Sequence, residues 1–289
     1  MCSRAARRRK MRANRRQQAF TYGVLTIFLL VAVMPFVGNI LTSFKAKTEL
    51  SRGLFTLPEQ WRTQNYVNAW EGARFNEFFI NSVIVVVPVV IVAAVCSLLS
   101  GYAFGLISFP GERLLLLLIV LGLMAPTEAV IIPLWHLMDR LGLRDSYWAL
   151  ILPQIGLSFS FGTFWMRAHF KNMPRDLIDA AVVDGCNTSP FSPRNVLWKI
   201  LLPLSGPALM SLIVLIFMWT WNEFFLVLVV GGTDYRTLPV GLALLRGRYS
   251  ADVPVMAAAS TIVSLPVILI YLLFQRSFIR GMISGAVKA

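Results

Sequence analysis

Two acidic side chains stand alone in long apolar stretches. Glu128 is the only Asp, Glu, Lys or Arg residue in 114–138, and Glu223 is the only one in 200–233. An ionisable group in such surroundings is costly, so each is a candidate functional residue. It could contact a polar solute, relay a proton or complete a hydrogen bond between helices.

The residues next to Glu223 indicate which kind of solute could bind there. Trp221 and Asn222 precede it, which combines an aromatic face with an amide and a carboxylate. Aromatic faces pack on the C–H surfaces of polyhydroxylated solutes, and polar groups bind their hydroxyls. Glu128, Trp221, Asn222 and Glu223 are therefore candidates for a solute pathway, with a purely structural role for the two acids equally open.

A second candidate site lies in a polar segment between two apolar stretches. Pro174 suits the first turn of a helix, and Gly185 can adopt the positive φ that ends one, so a helix is predicted over 174–184. The i, i+3, i+4 spacing places four side chains on one small, mildly apolar face: Leu177, Ala180, Ala181 and Asp184. A helix this short is marginal alone and needs a surface to dock against.

The elements that would position these residues are membrane-spanning helices. The chain is 57% hydrophobic and 14% charged, and six continuous apolar stretches are each long enough to cross a bilayer as a helix. We predict an all-α polytopic membrane protein with six transmembrane helices, at about 20–43, 77–105, 113–138, 146–168, 204–230 and 253–275. The predicted regions are a basic tail 1–19, a first helix 20–43, an extracytoplasmic segment 44–76 with interfacial aromatic residues, a core 77–280 containing a cytoplasmic loop 169–203, and a tail 281–289.

The charge distribution predicts the orientation. Residues 1–19 contain eight Lys or Arg residues and no acid, and such segments stay on the cytoplasmic side of the first span. Six spans then place both termini in the cytoplasm. A basic arm can also bind nucleic acid, but this one adjoins a transmembrane helix and lacks interleaved aromatic residues, which favours contact with anionic lipid.

The sequence offers no enzymatic chemistry of its own. It has no Gly-rich phosphate-binding loop followed by Lys and Ser or Thr. Its three cysteines have neither metal-ligand nor disulfide-framework spacing. We therefore expect no catalytic residues and no metal site.

The loop resembles a known signature. Asp179-Ala180-Ala181-x3-Gly185, followed by Ile200-x-Leu202-Pro203, is similar to the E-A-A-x3-G-x9-I-x-L-P loop of ABC importer permeases. The chain departs from it in two ways: Asp179 stands in place of Glu, and fourteen residues rather than nine separate Gly185 from Ile200. We expect the helix to be preserved and the second half of the loop to be rebuilt.

The resemblance extends over about 240 residues and is closest to the carbohydrate-uptake group, maltose type. It includes Trp221-Asn222-Glu223-Phe224 and the C-terminal stretch from Leu265 to Lys288. It implies a type I importer permease in the cytoplasmic membrane, working with a second homologous permease, two copies of an ATPase that hold ATP and Mg²⁺, and an extracytoplasmic solute-binding protein. It also implies that a coupling helix contacts the ATPase through Leu177, Asp179, Ala180, Ala181, Asp184 and Gly185.

Three alternatives remain open at this point. One is a proton-coupled secondary transporter that uses Glu128 and Glu223 as its relay. Another is an importer of a non-sugar solute such as glycerol phosphate. The third is a membrane anchor without transport, which leaves the loop signature unexplained.

Overall fold

The computed structural model describes residues 2–72, 74–186, 196–248 and 252–286. The described part consists of helices and short turns, with no strand. The helices are α1 (Cys2–Ser43), α2 (Gln64–Gly72), α3 (Phe75–Leu106), α4 (Glu112–Met124), α5 (Thr127–Arg140), α6 (Trp148–Lys171), α7 (Arg175–Val183), α8 (Leu202–Leu204), α9 (Gly206–Trp221), α10 (Phe225–Val230), α11 (Leu238–Arg248) and α12 (Val253–Ala286). The lengthened part of the loop after Gly185, residues 187–195, lies outside the described residues.

Four helices are long and apolar enough to cross a membrane by themselves: Gln17–Ser43 of α1, α3, α6 and Val253–Ile279 of α12. Two bent pairs supply the rest of the apolar length. Helices α4 and α5 meet at 104°, and the short helical stretch Leu197–Leu204 meets α9 at 70°. The described residues therefore contain four candidate spans, or up to six if each bent pair is one span, and the upper number is the predicted one.

The third predicted helix, 113–138, is not continuous. It breaks at Ala125 and Pro126, whose backbones are extended, with ψ of 122° and 127°. The residue before a proline is disfavoured in the α conformation, and Pro126 has no N–H to donate to the preceding turn. Glu128 consequently lies in the first turn of α5 and not in the middle of a helix.

The fifth predicted helix, 204–230, is also interrupted. Helix α9 ends at Trp221, and α10 begins at Phe225. The residues between them bond to nearby backbone: Asn222 Nδ2 donates to Met218 O (2.7 Å), and Glu223 Oε1 accepts from the N–H of Leu226 (3.0 Å). Side chains that bond locally in this way compete with a continuous helix.

The chain forms two compact units. The first comprises residues 1–70 and 245–262, and the second comprises 71–244 and 263–289, so α12 contributes to both. Within the first unit, the amide of Asn39 on α1 donates to Ala257 O (3.2 Å) and to Thr261 Oγ1 (3.1 Å) on α12. Lys47 also pairs with Asp252 at 2.9 Å.

Small residues let α3 and α6 approach closely in the second unit. A Cβ at Gly101 would lie 2.4 Å from Met166 Cβ, and one at Gly105 would lie 2.9 Å from Phe170 Cβ. Next to Gly101, Ser100 shares a hydrogen bond of 2.7 Å with Thr163 of α6, between the two hydroxyls. Membrane helices associate through such small-residue contacts and interhelical hydrogen bonds, so α3 and α6 form the closely packed centre of this unit.

One buried amide holds the loop that follows α10. Asn81 on α3 donates to Asp234 O (2.8 Å) and to Arg236 O (3.0 Å), and it accepts from the hydroxyl of Tyr147 (2.7 Å). Next to it, Ser82 Oγ accepts from the N–H of Leu238, the first residue of α11. Helix α11 lies between the fifth and sixth predicted spans, where no helix was predicted.

Replacing Asn81 by leucine is expected to destabilise the protein by about 2–4 kcal/mol, because two backbone carbonyls and one hydroxyl lose their hydrogen-bond partner. Thermal unfolding in mild detergent measures the effect. Tyr147→Phe is the control, since it removes one of the three bonds and should cost about 1 kcal/mol. Equal unfolding midpoints for the two variants would contradict this role of Asn81.

Candidate functional site

A cleft of ≈ 550 Å³ opens in the second unit. It lies between the break that separates α4 from α5 and the break that separates α9 from α10. Its walls come from α4, α6, α9 and the residues at both breaks. It is lined by Gly122, Leu123, Ala125, Thr127, Gln154, Leu157, Ser158, Phe161, Leu215, Met218, Trp219, Thr220, Asn222 and Glu223. Non-helical backbone at membrane depth is tolerated where it lines a cavity, and broken helices of this kind surround solute sites in transporters.

The structure separates the four predicted pathway residues into two pairs. Asn222 and Glu223 line the cleft, whereas Glu128 is exposed outside it. Trp221 is 3% exposed, its Nε1 donates to Val263 O (3.1 Å), and its ring stacks with Phe217 at 5.6 Å. Trp221 therefore packs between helices and does not line the cleft.

A different aromatic residue lines the cleft. Trp219 is 47% exposed and forms an edge-to-face pair with Phe161 on α6, with ring centroids 4.8 Å apart. The signal for it was present in the sequence. Positions three and four apart share a helix face, which places Trp219, and not Trp221, on the side of Asn222 and Glu223.

The polar groups of the cleft are mostly uncharged. Among the described residues that line it, Glu223 is the only one with a formal charge; the others offer hydroxyl, amide or apolar groups. Glu223 Oε1 accepts from the backbone of Leu226, and a carboxylate has several further acceptor sites. The arrangement can therefore accept hydrogen bonds from solute hydroxyls beside an aromatic surface.

The predicted helix in the loop is present as α7, Arg175–Val183, with Pro174 immediately before it. Gly185 has φ of 84°. The N–H of Cys186 bonds Ala181 O (2.9 Å), and the N–H of Gly185 bonds Val182 O (3.0 Å). This is the Schellman arrangement, in which a left-handed glycine ends the helix, so the predicted end of the helix is confirmed.

Helix α7 does not present all of its predicted face outward. Ala181 is 1% exposed and packs in the hydrophobic core, with the half-buried Ile178 beside it. The other residues predicted to contact the ATPase are exposed: Leu177, Asp179, Ala180, Asp184 and Gly185. Val183, which the spacing argument missed, is 87% exposed.

No group of three or more His, Cys, Asp or Glu side chains that could hold a metal ion occurs among the described residues.

The family model for the inner-membrane component of binding-protein-dependent transport systems matches residues 78–284. This range includes the cleft and α7. The chain belongs to this family. The permease is thus a multi-pass protein of the inner membrane, as predicted.

Curated relatives match the permease along most of its length. It is 35% identical over 263 residues to the arabinooligosaccharides transport system permease protein AraQ of Halalkalibacterium halodurans, covering 89% of this chain and 92% of that protein. It is 32% identical over 265 residues to the probable ABC transporter permease protein YurM of Bacillus subtilis, covering 91% and 86%. It is 29% identical over 279 residues to the diacetylchitobiose uptake system permease protein NgcG of Streptomyces coelicolor, covering 96% and 91%. The predicted membership of the ABC importer permeases, with sugar-transport homologues, is confirmed.

The fold matches a solved structure. A chain of a bacterial ABC transporter involved in the import of the acidic polysaccharide alginate superposes with a TM-score of 0.75 at 24% identity, covering 92% of the permease and 98% of that chain. The all-α importer permease fold is therefore confirmed.

Proposed function

We propose that the permease translocates a sugar or sugar derivative across the cytoplasmic membrane, driven by ATP hydrolysis in separate subunits. The observation that carries the proposal is the cleft between the two helix breaks, lined by Trp219, Asn222 and Glu223. Its volume lies in the range of small-molecule sites, about 300–1,000 Å³. Relatives named for arabinooligosaccharide transport and diacetylchitobiose uptake support the substrate class.

The charge of the cleft favours a neutral solute. A phosphate or carboxylate on the substrate would lie near Glu223 without a Lys or Arg among the described lining residues to pair with it. An unpaired charge in a desolvated site costs several kcal/mol or more. A neutral sugar or polyol is therefore favoured over glycerol phosphate.

The proposed complex contains a second homologous permease, two ATPase copies that bind ATP and Mg²⁺, and an extracytoplasmic solute-binding protein. The exposed surface of α7, with Ala180 and Val183, is the proposed contact with the ATPase. The basic N-terminus supports an orientation with both chain ends in the cytoplasm. The permease itself contributes binding and movement, and no catalysis.

The energy source distinguishes this function from a proton-coupled transporter. Glu128 and Glu223 do not share the cleft, which argues against a relay between them. The test is sugar uptake by proteoliposomes that contain the co-purified complex and its binding protein. Uptake should require internal ATP and persist when an ionophore collapses the proton gradient; the opposite pattern would refute the proposal.

Replacing Glu223 by glutamine is expected to reduce uptake about tenfold or more, since a hydrogen bond to a charged group contributes about 1.5–3 kcal/mol. Glutamine retains an oxygen that can accept from the N–H of Leu226, so assembly should be preserved. Initial uptake rates, with co-purification of the partner subunits, measure both effects.

Glu128→Gln is the matched control, because it removes the same charge outside the cleft. It should transport like the unaltered protein. Unchanged transport in Glu223→Gln would remove this residue from the pathway.

A further inference from the structure

A short stretch after α1 exposes an unusual amount of apolar surface. Residues 53–61, here called the apolar loop, contain four exposed large apolar side chains: Leu54, Phe55, Leu57 and Trp61. Leu57 is 71% exposed. The loop follows the end of a membrane span and belongs to the same compact unit as α1.

The apolar loop folds back along the span. A Cβ at Gly38 would lie 2.7 Å from Leu54 Cδ2 and 3.3 Å from Phe55 Cε1. Gly38 precedes Ser43, the last residue of α1, by five positions, which corresponds to about 7–8 Å along the helix axis. Leu54 and Phe55 therefore lie beside the last turns of α1 rather than beyond its end.

Buried charged side chains bond to the backbone of this segment. Lys45 is 1% exposed, and its Nζ donates to Gly53 O (2.8 Å), Leu54 O (3.2 Å) and Thr56 Oγ1 (2.9 Å). The buried Glu49 accepts from the N–H groups of Ala46 and Glu59. The pKa of Glu49 is held below its ordinary value mainly by the hydrogen bond that its carboxylate accepts from the N–H of Glu59. Backbone that enters a membrane interface needs internal partners of this kind.

Charged and aromatic side chains flank the apolar ones. Arg52 precedes Leu54 and Glu59 follows Leu57, and these two charged residues form an exposed ion pair. Trp61 packs edge-to-face on Phe44 at 5.2 Å, and Phe44 also contacts Tyr66 at 5.1 Å. Aromatic clusters of this composition are typical of the membrane–water interface.

We propose that the apolar loop inserts into the lipid leaflet beside the Ser43 end of α1. The inserted side chains are Leu54, Phe55 and Leu57, with Trp61 at headgroup depth. The loop surface is continuous with the exposed apolar surface of α1, of which Phe36, Val37 and Ile40 are the nearest part. A soluble binding protein approaching from water would not reach side chains beside Gly38, so lipid is the favoured occupant. The loop would fix the depth and tilt of α1, as interfacial anchors do.

The test measures the depth of two labelled positions in the full chain, co-purified with its partners. Cys2, Cys96 and Cys186 are first replaced by serine, and an environment-sensitive fluorophore is attached to Leu57→Cys or, as the matched control, to Glu59→Cys. Each protein is reconstituted in vesicles of phosphatidylcholine and phosphatidylglycerol, with nitroxide-labelled lipids or aqueous iodide as quencher. We expect blue-shifted emission and acyl-chain nitroxide quenching at position 57, and red-shifted emission with iodide quenching at position 59.

Two results would overturn the proposal. Iodide quenching at position 57 equal to that at position 59 would place the loop in water. Protection of position 57 from both quenchers would place it against protein, for which a second permease subunit is the candidate. Lys45→Met supplies an independent measurement. Without the three bonds from Nζ, iodide quenching at position 57 should rise, and an unchanged value would contradict the role given to Lys45.

Discussion

Replacing Gly101 by alanine is expected to destabilise the permease by about 1–3 kcal/mol, the usual cost of overpacking. The added Cβ would lie 2.4 Å from Met166 Cβ and 2.9 Å from the backbone nitrogen of Arg167. Neither is the end of a flexible side chain, so α3 and α6 must move apart. Their separation would also strain the hydrogen bond between Thr163 and Ser100, the residue next to Gly101. The unfolding midpoint in mild detergent, and the fraction of protein that stays monodisperse after heating, measure the loss.

Gly156→Ala is the matched control for Gly101. Gly156 is also a helical glycine, on α6, but a Cβ there would meet no atom within 4 Å. Alanine in a helix is favoured over glycine by about 0.8–1.0 kcal/mol, so this variant should be as stable as the unaltered protein or more so. If both variants shift the midpoint equally, the close approach of α3 and α6 does not stabilise the fold.

The spans were predicted from the positions of long uncharged stretches alone. Long uncharged stretches predict transmembrane helices because lipid excludes charge, and α1, α3, α6 and α12 follow that rule. Pro174 and Gly185 located α7 for an equally local reason, since both residues have strong backbone preferences.

The breaks could not be predicted from hydropathy, because a bent or interrupted helix is as apolar as a straight one. Pro126 is a break signal in the sequence, but Pro88 and Pro153 lie inside continuous helices. At Asn222 and Glu223, the break depends on side chains that bond to nearby backbone. Neighbouring helices help to satisfy the backbone groups that a break leaves without a partner. The positions of those helices depend on the tertiary structure.

The orientation of α7 was predicted only in part for a similar reason. The i, i+3, i+4 spacing assigns Ala180 and Ala181 to the same face, yet the two residues lie about 100° apart around the helix. Only the core beneath the helix decides which of them is buried. Ala181 and Ile178 pack inward, and this leaves Ala180 and Val183 exposed.

Helix α6 extends from the cleft to the start of α7. Its middle contributes Gln154, Ser158 and Phe161 to the cleft, and it ends at Lys171, shortly before α7 begins. Its last turns are bonded to other helices: Trp165 Nε1 to Ala208 O (3.1 Å), Arg167 Nε to Phe104 O (3.1 Å) and His169 Nε2 with Ser205 Oγ (3.1 Å). Because close-packed interiors transmit strain, a displacement of α7 should reach the cleft through α6.

Ala180→Glu is therefore expected to abolish most ATP-driven uptake while leaving the permease folded. Ala180 is exposed, so the longer side chain meets no core atoms in the free subunit. In the proposed complex it would place a charge in a docked interface at a cost of about 2 kcal/mol or more, which corresponds to about a thirtyfold loss. The measurements are uptake by proteoliposomes, co-purification of the ATPase and the unfolding midpoint of the permease.

Two further variants separate docking from folding. Ala180→Ser keeps the side chain small and should support uptake close to that of the unaltered protein. Ala181→Glu buries a carboxylate in the core beneath α7 and should lower the unfolding midpoint of the permease by itself, before any partner binds. Normal uptake and ATPase co-purification in Ala180→Glu would show that the exposed face of α7 is not the docking surface. A lowered midpoint in that variant would show that Ala180, like Ala181, supports the fold.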